Sequence, residues 1–490
     1  MSKIGTTGTA PVRPLQVARV EALRLNADGE GVAKINGMTV FVPNLLPGEW
    51  AKVRVISVEK SFARAVVLSR EDGDDNHPTG GTGEPGGASD APRVQRVAPL
   101  CPVFELCGGC QMQHIDYQHQ LAHKRQVVVD ALSRIGHLSD VEVLPTIGMS
   151  HPWRYRNQVQ VPISFDPAAR GYTSGFFAAG SHQRIATDVC FLISEALEST
   201  LKATVAVLTQ ARRAAGLGRD LDLGVHHLIL RESRTTGQQM VIMALSANPV
   251  ADFDGIFRDV AQLPNVDTVA YTVQPRVSGP MWGPTVEVVH GKGQLTENVL
   301  GLEYLISPRS FFQTNTEQVG ALYLEAMKRA DIKPDDTVLD AYCGAGSLSL
   351  LFAQRCEGVV GIDNVTPAIK DARRNAAHNG ITNAEFRVGL VEQELPKLLA
   401  DAVEGRRVDL VVLDPPRKGC HADVLRALAS PSGPRRIVYV SCNPATLARD
   451  LRVLVDAGYE PGPIQPFDMF PQTSHVECCL RLDRCVVATD

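Results

Sequence analysis

Residues 410–417 have the sequence Leu-Val-Val-Leu-Asp-Pro-Pro-Arg, and residues 437–444 have the sequence Ile-Val-Tyr-Val-Ser-Cys-Asn-Pro. Each begins with an apolar, β-branched run that has the length of a buried parallel strand. A reactive side chain follows each run, Asp414 in the first and Cys442 in the second. Open α/β sheets bind their ligands at the carboxyl ends of their strands. A carboxylate and a thiol at that edge predict covalent chemistry on a bound substrate.

The surrounding residues, 301–490, alternate between strand-like and helix-like segments. The strand-like segments lie at 337–342, 358–363, 408–414, 436–441 and 476–482. The helix-like segments between them lie at 347–355, 367–380 and 444–458. Such alternation predicts a largely parallel sheet with helices on both faces. We therefore assign the chain to the α/β class, with a doubly wound, Rossmann-like C-terminal domain.

A glycine-rich turn follows the first of these strands. It has the sequence Cys-Gly-Ala-Gly-Ser at residues 343–347, and the next strand ends at Asp363. Glycines let the backbone approach a nucleotide-like ligand, and an acidic residue after the second strand can accept hydrogen bonds from two ribose hydroxyls. The third glycine of a dinucleotide-binding turn and the lysine of a phosphate-binding loop are both missing. The turn therefore favours S-adenosylmethionine (SAM), which carries no phosphate, over NAD.

Cys442 and Glu477 are the candidate reactive residues of this half. Cys442 precedes Asn443-Pro444, a pair typical of a helix start. Because a helix N-terminus favours thiolate over thiol, we interpret Cys442 as a nucleophile rather than a structural cysteine. Glu477 lies beside the last predicted strand. By itself the sequence leaves it either a surface residue or a further member of the site.

Three cysteines, Cys101, Cys107 and Cys110, lie within ten residues around a Gly-Gly turn. Their spacing lets three thiolates converge on one metal centre. A fourth ligand must come from elsewhere, and Cys190 is the remaining cysteine before the C-terminal half. Four thiolates suit zinc or a [4Fe–4S] cluster equally well. A redox pair formed by Cys107 and Cys110 is the other interpretation, although it would leave Cys101 without a role.

Length and composition describe a multidomain protein of ordinary polarity. The chain has 490 residues, of which 44% are hydrophobic and 21% charged. It lacks both a stretch of about 18 apolar residues that could span a membrane and the apolar core of a signal peptide. We therefore expect a cytoplasmic protein whose cysteines stay reduced. The net charge of −5 argues weakly against nucleic-acid binding, but residues 12–70 are locally basic.

The N-terminal half divides into three further segments. Residues 12–70 contain short alternating strands separated by glycine, asparagine and proline, as in a small β-barrel. Residues 71–98 are rich in glycine, proline and aspartate, which predicts a flexible linker. Residues 99–300 mix a helix at 117–135 with several strand-like runs, which predicts a middle α+β domain whose strand order the sequence does not reveal.

With these motifs the chain resembles the RNA (uracil-5-)-methyltransferases, and most closely their 23S rRNA-modifying branch, which carries a TRAM domain and an iron–sulfur cluster. The resemblance covers nearly the whole chain. It implies that residues 12–70 form a TRAM domain, an OB-like RNA-binding barrel. It also implies that the [4Fe–4S] cluster is bound by a set of four cysteines, Cys101, Cys107, Cys110 and Cys190.

The resemblance further implies the roles of individual residues. Phe311 would stack on a uracil extruded from the RNA. The residues matching the SAM-contact positions of the family are Gln313, Tyr342, Ser347, Asp363 and Asp414. Three positions depart from the usual pattern: Asp363 replaces a common Glu, Ser347 replaces a common Asn, and Leu390 replaces an acidic residue, which puts an adenine contact from that loop in doubt.

The chemistry implied is covalent. The thiolate of Cys442 adds to C6 of uracil, C5 takes a methyl group from SAM, and Glu477 removes the C5 proton. The expected substrate is 23S rRNA, with the T-loop uridine of tRNA as the alternative. Methylation of an exocyclic amine and a non-catalytic role in RNA binding or ribosome assembly are the remaining readings. Neither a membrane nor an obligate protein partner is expected.

Overall fold

The computed structural model describes residues 12–71, 94–215, 223–249, 253–275, 281–401 and 408–485. These residues fall into two compact units. One takes in the chain up to Glu105 together with Cys110–Val127 and Gln472–Ser474, and the other holds Leu106–Gly109, Val128–Pro471 and the chain from His475 onward. The predicted linker at 71–98 lies outside the described residues, except for Glu71 and 94–98. The domain boundaries derived from the sequence therefore stay predictions.

The N-terminal segment is a six-stranded sheet whose strands are β1 (Val17–Glu21), β2 (Arg24–Leu25), β3 (Gly31–Ile35), β4 (Met38–Val42), β5 (Trp50–Val58) and β6 (Phe62–Arg70). Their order is β1-β5-β6-β4-β3-β2. Side chains alternate along β5, where Ala51, Val53 and Val55 are buried and the residues between them are exposed. One core of small and β-branched side chains fills the sheet's inner face. This arrangement confirms the predicted N-terminal β domain.

The middle of the chain forms a seven-stranded sheet in the order β13-β12-β11-β10-β7-β8-β9. Its strands are β7 (Gln158–Asp166), β8 (Gly171–Phe177), β9 (Arg184–Ala186), β10 (Val225–Glu232), β11 (Gln239–Leu245), β12 (Val266–Val273) and β13 (Glu287–His290). The helices of this region are α1 (Tyr117–Ala131), which continues into a π-helical turn over Leu132–Gly136, α2 (Glu195–Ala214) and α3 (Phe253–Ala261). Strands β10 and β11 are almost wholly buried, in keeping with the long apolar run of β11, although β10 also buries polar side chains such as Arg231.

The C-terminal region opens with a hairpin and a helix, β14 (Leu295–Val299), β15 (Leu302–Ile306) and α4 (Thr316–Ala330). Alternating strands and helices follow: β16 (Thr337–Ala341), α5 (Ser347–Ala353), β17 (Gly358–Asp363), α6 (Thr366–His378), β18 (Ala384–Val388), α7 (Val391–Asp401), β19 (Leu410–Leu413), α8 (Ala422–Ala429), β20 (Arg436–Ser441) and α9 (Pro444–Asp456). Three strands complete the domain: β21 (Tyr459–Pro461), β22 (Gln465–Phe467) and β23 (Glu477–Arg484).

Strands β16 to β23 form one sheet in the order β18-β17-β16-β19-β20-β23-β21, with β22 paired to β23, while β14 and β15 pair only with each other. The strands from β18 to β20 are mutually parallel, while β23 runs antiparallel to β20. Successive residues of the central strands face opposite sides, so that Val412 belongs to one core and Val411 to the other. The predicted doubly wound domain is confirmed.

Candidate active site

Two neighbouring strands bring Cys442 and Glu477 together at the edge of the C-terminal sheet. Strand β20 ends at Ser441, directly before Cys442, and the antiparallel β23 begins at Glu477. Ser441 pairs with Cys478 in this ladder. The same register, continued by one residue, sets Cys442 opposite Glu477. Opposed residues of antiparallel strands have Cα atoms about 4.5–5.5 Å apart.

Asp414 leaves the sheet at the same edge. It follows Leu413, the last residue of β19, which pairs with Ala341 of β16 on one side and with Tyr439 of β20 on the other. Asp414 therefore lies between the glycine-rich turn that follows β16 and the turn that carries Cys442. The sheet places the proposed cofactor contact and the proposed nucleophile at adjacent strand ends.

Asn443 ties the two reactive loops together. Its side-chain oxygen accepts a hydrogen bond from the Ala445 N–H at 3.0 Å, which caps the start of α9. Its amide donates to the carbonyl oxygen of Arg417 at 2.9 Å. The loop after Asp414 and the loop of Cys442 thus fix each other's position.

Burial and charge together favour the protonated forms of the reactive groups. Glu477 is 3% exposed, and burial together with the negative charge of Asp414 raises its pKa well above the ordinary value. Burial also raises the pKa of Asp414. The pKa of Cys442 is raised to about 11 by burial, with Glu477 and Asp414 acting in the same direction. Burial and the two neighbouring acids therefore act against the thiolate that the helix start was expected to favour.

Arg417 is a residue of this site to which the sequence assigned no role. Its positive charge lowers the pKa of Cys442 and of Glu477, against the effect of burial. A guanidinium nitrogen lies 3.3 Å from Nε2 of His475. The position of Arg417 directly after Asp-Pro-Pro was the available signal, since a loop at the strand edge carries its charge towards the reactive groups.

Tyr323 is a second residue that sequence reasoning missed. It lies on α4 and is buried. Burial, then the negative charges of Asp414, Asp340 and Glu477, raise its pKa, while a hydrogen bond with the Ser347 side chain lowers it. On a helical pattern Tyr323 is indistinguishable from a core aromatic, so no signal in the sequence could have identified it.

The glycine-rich turn is shaped to receive a nucleoside. Gly344 and Gly346 have φ angles of +55° and +81°, a region that favours glycine. The carboxylate of Asp363 accepts hydrogen bonds from the N–H of Gly344 at 3.0 Å and of Val365 at 2.8 Å. Each of its oxygens keeps a second acceptor position that a ribose hydroxyl can use. The residues present therefore fit SAM.

The other predicted contact residues differ in burial and in their partners. Phe311 is 69% exposed, whereas Gln313, two residues later, is buried and accepts a hydrogen bond on its main-chain oxygen from the Asn157 amide at 2.9 Å. Ser347 starts α5 and bonds Tyr323, as described above. Tyr342 is half-buried and packs against one core of the sheet. Their contacts with SAM or RNA stay predictions.

The four cysteines of the predicted cluster are each half-buried. Cys107 and Cys190 belong to one compact unit, where the negative charge of Cys190 adds to the effect of burial and raises the pKa of Cys107. The Gly109 N–H donates to Sγ of Cys107 at 3.4 Å. Among the residues that the structure describes, no group of three or more His, Cys, Asp or Glu is placed to hold a metal ion. The predicted cluster is therefore not shown.

Comparison with known proteins agrees with this geometry. Residues 293–485 match the model of the tRNA (uracil-5-)-methyltransferase family, and residues 11–68 match the TRAM domain. An RNA methyltransferase of Halalkalibacterium halodurans is 38% identical over 96% of this chain and 97% of its own length. A second, from Bacillus cereus, is 38% identical over 98% of this chain and 99% of its own length. The chain belongs to the RNA uracil-5-methyltransferase family.

A solved structure of the family supports the assignment of the cofactor. The tRNA (uracil-54, C5)-methyltransferase of Pyrococcus abyssi, in complex with S-adenosyl-L-homocysteine, is 27% identical, with a TM-score of 0.70 over 95% of this chain and 99% of its own. S-adenosyl-L-homocysteine is what SAM becomes after losing its methyl group. The prediction that this chain uses SAM is confirmed at the level of the family. Within the described residues, no helix combines the length and apolarity needed to cross a bilayer.

Proposed function

We propose that this protein methylates C5 of a specific uridine in 23S rRNA through a covalent adduct between Cys442 and uracil C6. The observation that carries the proposal is the β20–β23 register, which sets Cys442 opposite Glu477 beside the SAM-binding turn. An enzyme that methylates an exocyclic amine needs no thiol at this position. A non-catalytic RNA-binding factor needs neither the thiol nor the carboxylate.

Cys442 and Glu477 carry out the covalent step and the proton transfer of the reaction. The Cys442 thiolate forms a bond to C6, and the electron pair of the C5–C6 double bond makes C5 nucleophilic. SAM, when bound, supplies the methyl group that C5 takes. Glu477, once it has released its own proton to solvent, accepts the C5 proton, the Cys442–C6 bond breaks, and the double bond is restored. The thiolate is regenerated and one proton is released to solvent.

Neighbouring residues supply what the two reactive groups lack. Because burial keeps Cys442 as a thiol, the positive charge of Arg417 lowers the cost of forming the thiolate. The exposed ring of Phe311 would offer a surface on which a flipped-out base can stack, since C5 cannot be reached inside a stacked helix. Asp414 and Gln313 would orient SAM against the base, an effect worth several kcal/mol.

Cys101, Cys107, Cys110 and Cys190 would bind the [4Fe–4S] cluster. Support comes from their half-buried positions, the N–H bond to Sγ of Cys107 and the contribution of Cys190 to the raised pKa of Cys107. When bound, the cluster would stabilise the fold around its ligands, because metal sites and local folding form together. An absorbance band near ~400 nm in anaerobically purified protein, lost in Cys107→Ser, would support it. A colourless protein that contains zinc would contradict it.

The tRNA T-loop uridine is the second candidate substrate. The cysteine array and the TRAM domain favour 23S rRNA through their resemblance to that branch of the family. The solved structure from P. abyssi, which matches 95% of the chain, is a tRNA enzyme and favours tRNA. A cytoplasmic location belongs to either version of the proposal, since RNA would be the substrate.

Mass-spectrometric mapping of 5-methyluridine in rRNA and tRNA tests the proposal. RNA from cells lacking this chain should lose the modification at one 23S rRNA uridine, and expression of the wild-type chain should restore it. Cys442→Ala should not restore it. Loss confined to tRNA would favour the second candidate, and unchanged 5-methyluridine in both RNAs would refute the proposed function.

A covalent adduct gives a second, direct readout. RNA containing 5-fluorouridine carries fluorine at C5 in place of hydrogen. Because Glu477 cannot remove fluorine, the covalent adduct should accumulate. We expect an adduct resistant to denaturation with the wild-type chain and none with Cys442→Ala. Its absence with an active wild-type chain would exclude the covalent route while leaving RNA methylation intact.

A further inference from the structure

The loop between β15 and α4, which carries Phe311 and Gln313, is held between two buried, oppositely charged side chains. Arg231 projects from β10 of the seven-stranded sheet and is 5% exposed. Asp371 lies on α6 of the C-terminal domain and is also 5% exposed. Neither residue belongs to a recognisable sequence motif, and neither has a part in the chemistry described above. We call the two the loop clamp.

Arg231 donates to three main-chain oxygens of the loop and to the side chain of Gln158. One terminal nitrogen donates to the carbonyl oxygens of Ser307 at 2.7 Å and Pro308 at 3.4 Å. The other donates to the carbonyl oxygen of Ser310 and to Oε1 of Gln158, and Nε also donates to Gln158, at 2.9 Å. A guanidinium has five N–H donors, and this arrangement uses each of them. The side chain is therefore shaped around this one loop conformation.

Asp371 binds side chains of the same loop, whereas Arg231 binds its main chain. Its carboxylate accepts hydrogen bonds from the hydroxyls of Ser307, at 2.6 Å, and of Ser310. Arg374 also donates to it, at 2.8 Å. Burial lowers the pKa of Arg231 to about 10, opposed by the charge of Asp371, so Arg231 remains a cation at neutral pH. The loop is thus fixed between a buried cation and a buried anion.

The clamp sets which side chains of the loop face outward. Pro308, Ser310 and Phe312 are buried, whereas Arg309 and Phe311 are exposed. This alternation requires the extended path that follows the clamp, because a shift by one residue would exchange the two sets. Because both the carbonyl oxygen and the hydroxyl of Ser310 are hydrogen-bonded, the next residue, Phe311, has little freedom of direction.

Asn157, beside β7, fixes the far end of the loop. Its N–H donates to the Thr314 carbonyl oxygen at 2.9 Å, and its amide donates to the Gln313 carbonyl oxygen at the same distance. The middle sheet therefore holds both ends of the segment that contains Phe311 and Gln313.

We propose that Arg231 and Asp371 are positioning residues of the methyl transfer, which hold the loop so that Phe311 meets the extruded base and Gln313 faces SAM. The inference rests on the proposed function and deepens it. It also gives the middle sheet a task in the reaction, because Arg231 and Asn157 belong to that sheet while the residues they place serve the other. A misplacement of about 1 Å in such a site can reduce the rate by about 100-fold.

Arg231→Gln, compared with Arg436→Gln, tests the proposal. Arg436 serves as the control, since its largely buried side chain, 12% exposed, also donates to main-chain oxygens, of Ala330 at 2.8 Å and Asp331 at 2.6 Å, and to an aspartate, Asp336. It does not bind the loop. Both substitutions should lower the Tm, but Arg231→Gln alone should raise the KM for RNA and the Kd for S-adenosylhomocysteine, with kcat/KM reduced about 10- to 100-fold.

A double-mutant cycle identifies the route of the effect. In a Phe311→Ala background, Arg231→Gln should change the KM for RNA by less than about 2-fold, because the ring it positions is gone. Ser310→Ala is the milder variant and removes one hydroxyl from Asp371 without disturbing the buried charges. We expect about a 10-fold loss in kcat/KM from it. It carries the test if Arg231→Gln does not fold.

The outcomes separate this proposal from the function on which it rests. A wild-type chain that produces no 5-methyluridine in either RNA would end the proposed function. A wild-type chain that is active, with Arg231→Gln and Ser310→Ala changing only the amount of folded enzyme and neither KM, would overturn the clamp alone. Full additivity of Arg231→Gln and Phe311→Ala would likewise overturn it.

Discussion

Replacing Glu477 by Gln should separate the chemistry of this site from its stability. Gln keeps the size of the side chain and its capacity for hydrogen bonds but cannot accept a proton. The adduct at Cys442 would then be methylated at C5 and unable to eliminate. General-base catalysis is typically worth about 10²–10⁴-fold, so we expect kcat to fall by that factor, which is about 3–5 kcal/mol in the barrier. A methylated protein–RNA adduct should accumulate.

Stability should change in the opposite direction. Because the pKa of Glu477 is raised well above 4.5 in the folded protein, the folded state holds a proton that the unfolded chain releases. Stability is therefore full below about pH 4.5 and falls as the pH rises towards the folded pKa, by up to about 1.4 kcal/mol for each pH unit. Gln titrates nowhere in this range. Glu477→Gln should leave the Tm nearly unchanged at pH 4 and raise it at pH 8.

Three measurements check this reasoning: thermal unfolding at both pH values, single-turnover methylation with SAM, and denaturing electrophoresis of the RNA–protein adduct. Glu477→Gln combined with Cys442→Ala is the control, and it should form no adduct. Turnover of Glu477→Gln at the wild-type rate would refute the role of Glu477 as base. If the Tm of Glu477→Gln minus the Tm of the wild type were lower at pH 8 than at pH 4, the carboxylate of Glu477 would be ionised in the folded protein.

Three further predictions concern the surroundings of the site. Phe311→Ala should raise the KM for RNA about 10-fold without lowering the Tm, because base stacking is worth about 1–3 kcal/mol. Phe312→Ala, which removes a buried ring, should instead lower the stability by about 3–5 kcal/mol. Equal losses of Tm in the two variants would contradict the prediction. Arg417→Gln should move the rising limb of the pH profile of kcat/KM to higher pH, since Arg417 lowers the pKa of Cys442 and Glu477, both needed without their protons; an unmoved limb would remove Arg417 from the site. Gly361→Ala would bring a Cβ within 2.7 Å of the Phe386 ring and 2.9 Å of Cys343 Sγ. Calorimetry should therefore show about 1–3 kcal/mol of destabilisation and weaker binding of S-adenosylhomocysteine. Gly320→Ala is the control, since its Cβ would meet nothing within 4 Å, and it should show neither effect.

Much of the catalytic domain could be predicted from the sequence because its signals are local. Apolar runs such as 410–413 and 437–440 are long enough to identify buried strands, and the residue that ends each run must lie at the sheet edge. The glycines at 344 and 346 adopt positive φ angles that other residues avoid, so the turn could be predicted as well. The same local signal identifies Asp414 and Cys442 as strand-end residues.

Other features depended on tertiary structure, because they arise from residues far apart in the chain. The antiparallel course of β23 set Glu477 opposite Cys442, and no local pattern distinguishes that course from a parallel one. Burial and two carboxylates raised the pKa of Cys442, although its sequence context alone, at the start of a helix, predicted the opposite. Arg231, on a strand of the middle sheet, and Asp371, on helix α6, meet one loop, and each resembles an ordinary strand or helix residue in the sequence. The sequence by itself determined which elements form and which reactive residues end them; long-range pairing and desolvation, which no short segment contains, decided how those residues act together.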